Sequence, residues 1–166
     1  MMDKCSSFES ERLSYRGICT DDTDCLVKWR SNPDLIKYFR NPKPITLISH
    51  LDWFSNSYLI NNSRFDFIII EKDSGEKIGT VGSNEIDYGN SICQTSHMIA
   101  ERDFWGMGLS EEAVTALIRK MNTEGIYNFY CEIHQDNLAS IHIYEKLGYS
   151  YFSQRGNFLT YRKTEV

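Results

Sequence analysis

The sequence predicts a mixed α/β fold: a helical front, an antiparallel meander, then helices alternating with strands. Three observations carry this. Apolar residues fall at helical spacing between about residues 20 and 60. Residues 65–72 are rich in β-formers, and the turn signals Asp73-Ser74-Gly75 and Tyr88-Gly89-Asn90 break the following stretch into strands. Beyond residue 100, glycines close two amphipathic stretches, each leading into a β-rich run.

Residues 1–10 show no periodicity and read as a loose lead-in, with a short strand around 12–16 after them. Thr20 and the carboxylates Asp21, Asp22 and Asp24 mark a helix start, because negative charge there complements the helix dipole. Cys25, Leu26 and Trp29 supply its apolar face until Asn32-Pro33 breaks it. Pro33 opens a second short helix, with Leu35, Ile36, Tyr38 and Phe39 as its apolar side. Asn41-Pro42-Lys43-Pro44 is a loop, and Thr46 caps a third helix with Leu47, Leu51, Phe54, Tyr58 and Leu59 at helical spacing. Strands follow over 65–72, 77–86 and up to about Ile99. A helix covers 109–122, capped by Gly125, then a strand at 126–134 and a helix at 138–147 closed by Gly148. Strands near 149–153 and 157–163 end the chain. No repeat, low-complexity tract or linker divides the 166 residues, so one domain over 1–166 is expected.

Composition narrows the function. The net charge of −5 argues against a nucleic-acid binder, which needs a basic footprint, and leaves a cationic amine open as substrate. Cys5, Cys19, Cys25, Cys93 and Cys131 are odd in number and include no C-x-x-C pair, which fits reduced thiols rather than a disulfide or zinc framework. His50, His97, His134 and His142 lack metal-ligand spacing, so no metal is expected. The polar, acidic start carries no secretory signal, and the apolar run Phe67–Ile70 is too short to span a bilayer; a cytoplasmic protein without membrane contact is expected.

The segment Arg102-Asp103-Phe104-Trp105-Gly106-Met107-Gly108-Leu109-Ser110 stands between a strand and a helix. Unpaired amides at the helix start and the side-chain-free Gly106 and Gly108 suit a diphosphate. A lone G-x-G reads equally as a tight turn. The third glycine of a dinucleotide fingerprint and the lysine of a P-loop are both missing.

The second segment, Asn137-Leu138-Ala139-Ser140-Ile141-His142-Ile143-Tyr144-Glu145-Lys146-Leu147-Gly148-Tyr149, decides between these readings. Together the two segments resemble the GNAT N-acetyltransferases, whose Q/R-x-x-G-x-G/A loop and later N-x-x-(S/A)-x-x-x-Y-E-K-x-G-(F/Y) run stand in this order. The resemblance covers residues 65–163 closely and the helical front more loosely. It implies a central mixed, mostly antiparallel sheet of six to seven strands flanked by about four helices, and acetyl-CoA as cosubstrate. It places Phe104, Trp105, Gly106, Met107, Gly108, Leu109 and Ser110 around the coenzyme A diphosphate. Met98, Ile99 and Ala100 pair with the pantetheine arm, Asn137 and Ser140 lie beside it, and Tyr144 protonates the departing thiolate. Asp103 departs from the pattern, since a carboxylate stands where the family carries Gln or Arg; Arg102 is the neighbouring candidate donor. Glu111 and Glu112 read as helix-dipole residues.

His97 and Glu85 are candidate bases, with Glu132, His134 and a water relay as alternatives. The run Trp29-Arg30-Ser31-Asn32-Pro33-Asp34, followed by His50-Leu51-Asp52-Trp53-Phe54, resembles acetyltransferases of nucleotide-linked amino sugars. That resemblance makes Trp29, Arg30, Arg40 and His50 acceptor-site candidates, with Lys43 a further cation for a diphosphate. Trp29 and Trp53 read equally well as core residues. The alternatives are acetylation of protein N-termini in the ribosomal-protein manner, a polyamine acceptor, or a CoA-binding regulatory module without turnover. The chain is expected to act as a monomer or homodimer.

Overall fold

Eight strands form one sheet in the order β1-β2-β3-β4-β5-β6-β8-β7 in the computed structural model, which describes residues 2–165; positions 1 and 166, the ends of the expected domain, lie outside the described residues. The strands are β1 (Ser7–Glu9), β2 (Leu13–Gly17), β3 (Phe65–Glu71), β4 (Lys77–Asp87), β5 (Ile92–Ile99), β6 (Asn128–His134), β7 (Ser150–Arg155) and β8 (Phe158–Thr164). The helices are α1 (Thr23–Arg30), α2 (Pro33–Ile36), α3 (Leu47–Trp53), α4 (Leu109–Thr123) and α5 (Leu138–Lys146). Among the described residues no helix is long and apolar enough to cross a membrane.

Every neighbouring pair is antiparallel except β5 and β6, which run parallel. That pairing is short: Ile92, Cys93 and Gln94 face Asn128, Phe129 and Tyr130. Beyond it β5 continues to Ile99 paired with β4, and β6 continues to His134 paired with β8. The sheet therefore opens into a wedge between the C-terminal halves of β5 and β6. A bulge between Asn84 and Asp87 bends β4 next to this opening, with Glu85 at a φ of 50°.

The wedge is held by two cores. α4 buries Leu109, Ala113, Val114, Ala116, Leu117, Ile118 and Met121 against the sheet residues Phe67, Ile69, Val81, Cys93 and Phe129. The 3.6-residue period puts these on one broad stripe, which is why the sequence already marked this helix. A second cluster joins the helical front to the sheet through Ile18, Leu26, Trp29, Phe54, Tyr58 and Ile68.

Three expectations are corrected. The sheet has eight strands rather than six to seven, the first lying inside the supposed lead-in. That segment is tied down: Ser7–Glu9 pair with Ser14–Arg16, and Lys4 Nζ donates to the Asn61 carbonyl at 2.7 Å while sitting 3.9 Å over the Tyr58 ring. Along α3 and the π-helical turn Phe54–Tyr58 that continues it, the expected Leu47, Leu51 and Leu59 face outward, while Phe54 and Tyr58 turn inward with His50. Both sets satisfy helical spacing; the stacking of Phe54 on Tyr58 and the fit against Trp29 selected the aromatic one.

Candidate active site

α5 starts at Asn137, whose side chain accepts from the Ser140 amide at 3.3 Å, and it buries Tyr144. The Tyr144 side chain, 3% exposed, reaches the wedge. Its oxygen lies 3.2 Å from His97 Nδ1 and donates weakly to the Thr95 carbonyl at 3.5 Å, and its ring packs edge-on against Tyr149 at 4.9 Å. Burial pushes the phenol pKa well above its ordinary value, so Tyr144 carries its proton throughout the physiological range. Burial acts on His97 in the opposite sense, pushing its pKa down to about 4 and leaving the imidazole neutral at pH 7.

Strand alternation fixes the backbone around these side chains. The Thr95 carbonyl receives Tyr144, and the Ile99 carbonyl receives the Trp105 indole N–H at 2.8 Å. Residues two apart on a strand turn their polar groups the same way. The His97 amide, between them, therefore points into the wedge and has no strand partner there.

Past β5, a single turn at Arg102–Phe104 leads to the glycine bend. Gly106 and Gly108 take φ values of 73° and 75°, a left-handed conformation that strains any residue with a Cβ. No protein atom lies within 4 Å of where a Gly106 Cβ would stand, and Gly108 has only Arg12 Nη2 nearby, at 3.7 Å. The first-turn amides of α4 follow directly on this bend, where helix geometry leaves them without intrahelical partners. These features fit a diphosphate, and the wedge fits an extended pantetheine arm. Arg102, the expected compensating donor for Asp103, is instead paired with Asp34 of α2.

A cavity of about 680 Å³ runs from the wedge to the helical front, lined among others by Arg30, His50, Arg64, His97, Glu132 and Tyr144. Its charges are largely paired. Arg64 Nε binds Asp66 at 2.7 Å, and Arg40 Nε donates to Glu132 at 3.0 Å. Arg30 is the exception: it lies 5.0 Å over the Phe39 ring and makes no ion pair among the described residues. His50 is 5% exposed with Nε2 lacking any hydrogen-bond partner, an arrangement that costs about 1–3 kcal/mol unless a ligand satisfies it.

The structure brings part of the expected set together in this cavity, and the residues from Phe104 to Ser110 form the separate bend. Met98, Asn137, Ser140, His97 and Tyr144 line the cavity with Arg30, Arg40 and His50. Ile99 and Ala100 are buried and do not line it, and Trp29 and Glu85 also lie outside it. Trp29 is 2% exposed in the second core, its indole donating to Glu101 at 2.7 Å, so it supports the site without lining it. Glu85 sits exposed at the bulge and accepts from the Tyr130 phenol, outside the cavity wall. His97 lines the site, yet its low pKa makes it a poor base for an ammonium. Lys43 is exposed on its loop and lines no part of the cavity. Sequence reasoning missed the Arg64–Asp66 pair, which its two-residue spacing could have suggested, and the contact of Glu112 with Arg12, one hundred residues away, which no local pattern carries. Among the described residues no group of three or more His, Cys, Asp or Glu side chains could hold a metal ion.

Residues 12–150 match the acetyltransferase (GNAT) domain family. The chain belongs to the GNAT acetyltransferases. This acetyltransferase is 29% identical to the uncharacterized N-acetyltransferase p20 of Bacillus licheniformis, over 94% of its own length and 87% of the relative's. It is 26% identical to an uncharacterized protein of Methanocaldococcus jannaschii over 85% of its length, but spans just 28% of that longer chain. Its fold matches that of RimL, a ribosomal alpha-N-protein acetyltransferase in complex with coenzyme A, with a TM-score of 0.81 at 15% identity, covering 93% of this chain and 95% of that one.

Proposed function

We propose that this N-acetyltransferase moves an acetyl group from acetyl-CoA directly to the primary amine of a small acceptor that carries an anion, of the nucleotide-linked amino-sugar class. The observation that carries the reading is the protonated phenol of Tyr144 inside the wedge, beside the inward-facing His97 amide. The amine nitrogen forms its bond to the acetyl carbon as the carbon–sulfur bond breaks. The His97 N–H meets the negative charge gathering on the acetyl oxygen. Tyr144 gives its proton to the sulfur and recovers one from the nitrogen through water, so the products are the amide and the free thiol.

The acceptor amine enters neutral. Moving a proton from an ammonium near pKa 10 to His97 would be uphill by about six pKa units, roughly 8 kcal/mol, which favours loss to solvent water over His97 as a resting base.

Charge supports the acceptor class. Three cavity arginines face two carboxylates, Asp66 and Glu132, and Arg30 is left over. An unpaired guanidinium, half-buried beside the unsatisfied His50, favours a phosphate or carboxylate on the acceptor and opposes a polyamine. N-terminal peptides are the second reading, favoured by the fold likeness to RimL. The test is a free-thiol assay with UDP-amino-sugars, polyamines and N-terminal peptides side by side. Turnover with the amino-sugars is expected, and preference for polyamines would reverse the charge argument. Thermal stabilisation by acetyl-CoA with no thiol release from any acceptor would mark a CoA-binding module instead.

A further inference from the structure

We propose that Arg12, on the chain just before β2, is the cation that meets the coenzyme A diphosphate, taking the electrostatic place left by Asp103. The proposal rests on the glycine bend being the diphosphate cradle.

Four observations lead there. Asp103 is exposed and brings negative charge to the approach to the bend. Arg102 is engaged elsewhere, paired with Asp34 and lying 5.4 Å over the Trp105 ring. Arg12, by contrast, is anchored onto the bend from a distant part of the sequence: Nη1 donates to the Met107 carbonyl at 2.8 Å, and Nε donates to Glu112 at 2.6 Å. Its remaining nitrogen, Nη2, stands beside Gly108, 3.7 Å from where a Cβ would be, and donates to no protein atom among the described residues.

The anchor is itself well built. Glu112, in the first turns of α4, accepts from Ser10 Oγ at 2.6 Å and from the Arg12 amide at 2.7 Å besides the guanidinium. Burial works to raise its pKa, but these hydrogen bonds prevail and hold the carboxylate ionised. Glu112 thus fixes the guanidinium plane and α4 relative to each other, so two faces of the Arg12 fork are occupied and the third is presented at the bend. A guanidinium with a free edge next to bare helix amides is suited to a phosphate oxygen. The residue serves twice, positioning the loop through Met107 and binding the anion through Nη2. Ser10, Arg12 and Glu112 carry no acceptor chemistry and do not line the acceptor cavity.

Calorimetry with three ligands isolates the role: coenzyme A, dephospho-coenzyme A, which keeps the diphosphate and loses the 3′-phosphate, and pantetheine, which has neither. For the unaltered protein both nucleotides are expected to bind far more tightly than pantetheine. Arg12→Met should weaken coenzyme A and dephospho-coenzyme A alike, by about tenfold or more, and leave pantetheine unchanged. Arg12→Lys, which keeps one charge without the fork, should fall between and serves as the deciding variant if Arg12→Met does not fold. Equal weakening of all three ligands would mean a merely structural residue and overturn the proposal. Loss confined to coenzyme A would move Arg12 to the 3′-phosphate and overturn it too. If the unaltered protein binds pantetheine as tightly as coenzyme A, the cradle itself is misplaced and the proposal falls with it.

Discussion

Tyr144 and His97 meet 3.2 Å apart in the wedge between β5 and β6, one side chain from a helix after the wedge and the other from the strand that forms its wall. Burial drives their pKa values apart, the phenol upward and the imidazole down to about 4, so at neutral pH a proton donor faces a neutral partner. In the reaction proposed above, the phenol gives its proton to the leaving sulfur, and the pair stays uncharged until then.

Tyr144→Phe removes the proton and keeps the ring. Turnover should fall by about 10²- to 10⁴-fold, the usual worth of a positioned acid, while coenzyme A affinity measured by calorimetry changes little. Turnover equal to that of the unaltered enzyme would remove Tyr144 from the chemistry.

The pH dependence follows from the direction of the His97 shift. Because its pKa is depressed to about 4, the neutral form dominates at neutral pH and is lost only as pH falls through that value. The profile of kcat/KM should therefore rise toward the pKa of the acceptor amine, with no inflection near 6.5. His97→Gln should retain that shape. An inflection near neutrality that disappears in His97→Gln would identify His97 as a titrating base after all.

Arg30→Ala should raise KM for an anionic acceptor by about 10- to 100-fold, the worth of a charge-assisted hydrogen bond, and leave acetyl-CoA affinity alone. Neutral or cationic amines should lose nothing. An equal effect on all acceptors would return Arg30 to the scaffold.

Asp22 offers a stability test away from the site. It is fully buried and takes two hydrogen bonds from Arg16 and one from Lys77, each at 2.7 Å, which ties the turn before α1 to β2 and β4. Burial opposes the charge, but the Arg16, Lys77 and Cys19 hydrogen bonds outweigh it and hold the pKa below the ordinary 3.8. A depressed carboxylate stabilises the fold above its unfolded pKa, and that contribution is lost as pH falls below it. Asp22→Asn should destabilise by about 3–5 kcal/mol at pH 7, read by urea unfolding, with the difference shrinking as the pH falls below 4. A loss under 1 kcal/mol would show that the two cations find other partners.

Much of this was legible before any coordinates. The α4 stripe, the two glycines of the bend and the Asn137–Tyr144 spacing are local patterns, each enforced by helix period, positive φ or capping, and all three lie where the pattern put them. The helical front was read less well. Trp29 and Leu51 both satisfied an apolar stripe, yet the first is core and the second is exposed, because the choice between faces was made by the aromatic packing around Tyr58.

By itself the sequence determined the order of elements, the bend and the capped helix that carries Tyr144, since each depends on residues a few positions apart. The tertiary structure decided which charges remain available. Arg40 and Arg102 looked like free cations in the chain and are bound to Glu132 and Asp34, while Arg30 makes no ion pair among the described residues and Arg12 arrives at the bend from one hundred residues before Glu112. Ion pairing is set by proximity in space, and nothing in residue spacing encodes which distant carboxylate a guanidinium will find.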